Sequence, residues 1–152
     1  MKLVQKDIIF NYKTYELLVS MIDLSRVNMD RFRDANIIEK CSKMVSNMAG
    51  FDTGRQTGKS TAIARYLREN DNVVVVSPST ILKKIMNDKL HTPNKFNLSV
   101  HDFNRHSAIF KGLYGEFDLI FDECSLKDIQ YCLKFLVTHT HIEIKSIVKV
   151  GL

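Results

Sequence analysis

Between residues 3 and 48 the chain has neither glycine nor proline. Lacking the two residues that most often interrupt secondary structure, this stretch is expected to be mostly regular. No run approaches the roughly eighteen apolar residues that a membrane helix needs, and charge breaks up Met1–Asp7 before a secretory signal could form. Cysteine is scarce: Cys41, Cys124 and Cys132 are odd in number and show no CxxC spacing. That pattern excludes a disulfide framework and a cysteine metal knuckle, and reads as reduced thiols in or near the core of a cytoplasmic protein. No internal repeat or low-complexity tract appears. The expectation is a soluble protein with no membrane partner.

What is present is an ordinary globular balance, 45% hydrophobic and 26% charged over 152 residues. This suits one domain with a proper core, divided into an N-terminal helical segment, 1–43, and a core, 44–152. The net charge of +5 is compatible with a DNA or RNA partner, and equally with plain solubility.

In the glycine-free stretch, Leu17, Leu18, Met21, Ile22 and Leu24 suit a short helix beginning near Thr14. Ala35, Ile38, Cys41, Val45 and Met48 suit a second, capped by Asn28 or Asp30. After residue 58 helical and strand patterns alternate. Val73–Val76 is four β-branched residues without polar alternation, the mark of a strand buried on both faces. Ser79 can cap a helix through Ile81, Leu82, Ile85 and Met86, and a short strand surrounds Leu98–Val100. Asp102 can cap a helix carrying Phe103, Ala108, Ile109 and Phe110. A strand over 117–123, a helix over 126–137 and a strand over 142–150 complete the order. The last alternates polar and apolar residues, which suits a sheet edge. The order predicts an α/β fold, three layers deep with a mainly parallel sheet.

Chemistry concentrates in Thr53-Gly54-Arg55-Gln56-Thr57-Gly58-Lys59-Ser60-Thr61. A glycine-punctuated turn entering a helix at Lys-Ser-Thr can aim successive backbone N–H groups at a polyphosphate. Lys59 would lie along the terminal phosphates, and the Ser60 hydroxyl would ligate Mg2+. Thr53 occupies the first glycine position of the usual signature. Such a loop normally hangs from a buried strand, but residues 44–52 are only patchily β-forming. Either that strand is short and irregular, or the second helix ends early to admit it.

A second signal is Leu119-Ile120-Phe121-Asp122-Glu123, an apolar strand ending in two carboxylates. Asp122 would hold the Mg2+ shell opposite Ser60, and Glu123 would polarise the attacking water. In a parallel sheet both motifs fall at the carboxyl ends of strands, where ligands bind.

On these two motifs the sequence resembles the additional-strand, catalytic-glutamate class of P-loop NTPases. Within that class it is similar to the ATPase domain of viral (phage) large terminases and to superfamily 1 and 2 helicases. The resemblance implies a RecA-like α/β/α core, ATP and Mg2+ as ligands, and a place in the host cytoplasm. It assigns nucleotide binding to Gly54, Arg55, Gln56, Thr57, Gly58, Lys59, Ser60 and Thr61, metal binding to Ser60 and Asp122, and catalysis to Lys59 and Glu123. Arg55 becomes a candidate cis-acting arginine finger. In that family the last strand lies inside the sheet and leads to sensor residues. No second motor lobe follows it here, so a nucleotide site is expected more firmly than a motor, with another subunit or partner protein completing the site.

Three functions remain open on the sequence: an ATPase acting on or beside nucleic acid, a nucleotide- or partner-binding module without productive hydrolysis, and a small-molecule kinase. The kinase is disfavoured by the lack of an arginine-rich lid. For nucleic acid, the candidate surface is Lys83, Lys84, Lys89, Lys95 and Arg105, with Phe96 and Phe103 as stacking platforms.

Overall fold

The computed structural model describes residues 2–31, 37–54, 58–90, 94, 96–104 and 108–151. The glycine-free segment forms α1 (Lys2–Asp30) and α2 (Ile37–Ser46). A single long helix replaces the short one expected from Thr14, because nothing upstream breaks it. Asp30 and Asn28 lie in α1 and therefore do not start α2.

The second helix does end early. A turn at Asn47, whose N–H bonds the Lys43 carbonyl, releases the chain into β1 (Ala49–Phe51). This strand is only three residues long. Then follow α3 (Lys59–Glu69), β2 (Val73–Ser77), α4 (Thr80–Leu90), β3 (Asn97–Ser99), β4 (Tyr114–Asp122), α5 (Leu126–His139) and β5 (His141–Val150). The Ser79 hydroxyl accepts from the Leu82 N–H at the start of α4, as its position before the helix suggests. Among the described residues Asp102 does not open the expected helix, since Phe103 and Asn104 are not helical. It closes a 3-10 turn, Val100–Asp102, accepting from the Ser99 N–H at 2.8 Å and the Lys83 ammonium at 2.9 Å.

The five strands form one parallel sheet in the order β1-β5-β4-β2-β3. Alternation along the strands builds two cores. Val74, Val76, Leu119, Phe121 and Ile147 face α2 and α5, while Val73, Val75, Ile120, Val148 and Val150 face α1, α3 and α4. The all-buried β2 is what a sheet covered on both faces demands. Cys124 and Cys132 are buried and Cys41 half-buried, all as free thiols.

The polar alternation of β5 pointed to an edge, but β5 lies inside the sheet between β1 and β4. The two halves of the strand differ. β1 is so short that it pairs only with Val148–Val150, leaving Glu143 and Lys145 exposed in the half it does not reach.

Helix α1 takes over where β1 stops. The Ser25 hydroxyl accepts from the Ile147 N–H at 2.7 Å and donates to its carbonyl at 2.9 Å, supplying the bonds of an absent strand. The next residue, Arg26, donates to both oxygens of Asp118, at 3.1 and 2.7 Å. The same buried carboxylate accepts from Ser146 at 2.6 Å.

Among the described residues no helix is long and apolar enough to cross a membrane.

Candidate nucleotide site

Because all five strands are parallel, β1, β4 and β5 end on the same side. Their ends are tied together: the Glu123 N–H donates to Val150 O at 2.8 Å, and the Gly151 N–H to Phe51 O at 2.9 Å. The helices after β1 and β4 pack on opposite faces. Their first turns therefore lie on opposite sides of the end of β5, the kind of position where open α/β sheets bind ligands.

The loop after β1 starts at this end of the sheet. Gly54 has φ +87° and Gly58 φ +79°, left-handed values that glycine adopts without steric cost. Gly58 stands immediately before α3, and its carbonyl accepts the first helical bond from Ala62 N–H at 2.8 Å. Lys59, Ser60 and Thr61 occupy the first turn, half-buried, beside the positive end of the helix dipole. Arg55, Gln56 and Thr57, expected to contact the phosphates, lie outside the described residues.

The structure joins the two sequence motifs. Lys59 Nζ lies 3.3 Å from Glu123 Oε1, bringing residues distant in sequence together. It lies closer still, 2.8 Å, to Oδ1 of Asp52, which was not singled out from the sequence. That oxygen also accepts from the Gly54 N–H at 3.0 Å. An acid two residues before a glycine is the signature of an Asx turn, so Asp52-Thr53-Gly54 carried a legible signal. Burial works against the Lys59 ammonium, but Asp52 and Glu123 outweigh it and hold its pKa above the ordinary lysine value. In return the Lys59 ammonium, helped by the Gly54 N–H, holds the Asp52 carboxyl below its usual range.

Glu123 has φ +58°, an uncommon conformation for a residue with a side chain. It sets the carboxylate over Gly151, where an added Cβ would come within 2.5 Å of it. Gly151 is a second contributor absent from the sequence assignment. Only glycine leaves room for Glu123 at that place. Asp122, at the end of β4, is nine-tenths buried. Desolvation, reinforced by the Glu123 charge and opposed by Lys59, raises its pKa to about 6.

The nucleic-acid surface is altered by the fold. Phe103 is in the core at 1% exposure, and Phe96 packs edge-on against Phe117 at 5.6 Å. Neither is an exposed stacking platform. Lys83 is engaged by Asp102, and Lys95 and Arg105 lie outside the described residues.

No protein-family model matches the chain, and a search of curated proteins finds no match either.

Proposed function

We propose that this protein binds a magnesium–nucleoside triphosphate, ATP in the first instance, in a P-loop of the additional-strand class, and hydrolyses it as terminase- and helicase-type ATPases do. The observation that carries the reading is the Lys59–Glu123 approach of 3.3 Å at the carboxyl ends of parallel strands. The sheet order supports it, since β5 stands between the loop strand and the acidic strand.

The residues fit the ligand. Lys59 supplies a cation at a helix N-terminus, where polyphosphate is favoured. Ser60 and Asp122 would hold Mg2+, whose charge when bound would neutralise the phosphate oxygens. Asp122 is suited to that role because its burial penalises an uncompensated charge. Among the described residues no three His, Cys, Asp or Glu side chains gather into a metal cluster. Nucleotide-bound magnesium does not need one, since water and phosphate provide most of its ligands.

In the reaction, Lys59 exchanges its carboxylate partners for phosphate oxygens and stabilises their charge as the terminal phosphoryl group departs. That exchange frees Glu123 to take the proton of the attacking water. Arg55, or an arginine from another subunit, would add positive charge at the same group. The virus-encoded setting and action beside DNA or RNA rest on the motif resemblance.

Measuring ATP binding and turnover side by side in wild type and Glu123→Gln tests the enzymatic half. Hydrolysis is expected to fall about a hundredfold or more with ATP affinity retained. Binding without turnover in the wild type would leave a nucleotide-binding module and remove the ATPase.

A further inference from the structure

Resting on the nucleotide-site reading, we infer that Asp52 is a built-in competitor of the terminal phosphate, an internal anion on the groups that would bind that phosphate. One oxygen, Asp52 Oδ1, gathers both kinds of donor that a phosphate loop offers. It accepts from the Lys59 ammonium at 2.8 Å and from the Gly54 backbone N–H at 3.0 Å. A terminal phosphate oxygen would seek the same chemistry, a lysine cation beside a loop amide.

The lysine leans toward Asp52. Its distance there is 2.8 Å against 3.3 Å to Glu123, and its own side chain keeps only 11% exposure while bridging the two. The Asp52 side chain remains 29% exposed at the mouth of the loop, so a ligand entering from solvent can displace it without unfolding the sheet end beneath. Asp52 belongs to the loop rather than to β1, which ends at Phe51.

Two consequences follow for ligand choice. A ligand must offer enough negative charge to replace a carboxylate on Lys59, which favours triphosphates over a single phosphate group. Removing the Asp52 charge should also tighten binding, because the bound anion then neither competes for Lys59 nor faces a nearby carboxylate. An ion pair open to solvent is weak, so the gain in affinity is modest, up to about fivefold.

The test is calorimetric titration of magnesium-ATP, and separately of inorganic tripolyphosphate with magnesium, into wild type, Asp52→Asn and Lys59→Ala. Asparagine keeps the acceptor for the Gly54 N–H, and a thermal melt of each variant checks folding. The expected result is affinity tighter by up to about fivefold for Asp52→Asn and weaker by about tenfold to a hundredfold for Lys59→Ala, for both ligands. Unchanged or weaker binding by folded Asp52→Asn, with Lys59→Ala still weakening it that much, would overturn the competitor role and leave the nucleotide site standing. Equal binding by wild type and Lys59→Ala, or none by either, would overturn both.

Discussion

Asp122 shows what the site costs the protein that carries it. Its carboxyl has a folded pKa of about 6, above the ordinary unfolded value near 3.9. The folded state therefore binds this proton more tightly than the unfolded chain. Below the unfolded pKa the group is protonated in both states and costs nothing. As pH rises through the window from about 4 to about 6 stability falls, and above it the full cost persists. Two pKa units correspond to roughly 3 kcal/mol at most. In protein free of metal and nucleotide, Asp122→Asn should raise the melting temperature at pH 8 and lose that advantage below pH 4. Melts across that range check the sign. A variant no more stable than wild type at pH 8 would mean that the carboxylate is not penalised by its burial.

Gly151 allows a second test at the same scale. A Cβ there would meet Glu123 atoms at 2.5 to 2.6 Å, and φ of +84° disfavours a side chain. The carboxylate is the free end of a side chain and can swing aside, so Gly151→Ala should displace it from Lys59 rather than unfold the domain. The backbone strain costs about 1 kcal/mol. Turnover should fall more than ATP affinity, as kcat and Kd measured on one preparation would reveal.

At the scale of elements, β1 is only three residues long, and α1 compensates for it. Ser25 occupies both backbone groups of Ile147 beyond the reach of β1. Ser25→Ala leaves a buried N–H and C=O unpaired, at about 2 kcal/mol. Arg26→Ala would expose the Asp118 carboxylate, at 6% side-chain exposure, to a deficit of similar size. The loss is moderated because Arg26 keeps about a third of its side chain in water. Chemical denaturation of Ser25→Ala checks the first value, and a loss below a few tenths of a kcal/mol would show that water replaces the hydroxyl.

These elements also mark what the sequence could disclose. β2 was legible because four consecutive β-branched residues have few other homes. The loop and the acidic strand were legible because their chemistry is local to a few residues. The interior place of β5 was hidden, because its exposed half and its buried half average into an edge-like alternation. Phe103 read as a helix residue but is a core residue after a 3-10 turn, since its burial depends on α5 packing over it. Asp52 showed in the sequence only as a turn residue before Gly54, and Gly151 comes against Glu123 only when the strand ends meet, a long-range event that no window of sequence contains.

For the whole molecule, one arrangement accounts for the fold and the candidate site together. A parallel sheet covered on both faces sends α3 and α5 away on opposite sides of the end of β5. The loop lysine and the strand-end glutamate meet there, with a competing aspartate at the mouth. The central claim is that this sheet end holds a nucleoside triphosphate through Lys59. Its most direct test is the affinity of wild type and Lys59→Ala for magnesium-ATP, with a thermal melt to verify that the variant folds. Losing a charge-assisted contact of this kind should weaken binding about tenfold to a hundredfold. Wild-type affinity in a folded Lys59→Ala protein would contradict the account.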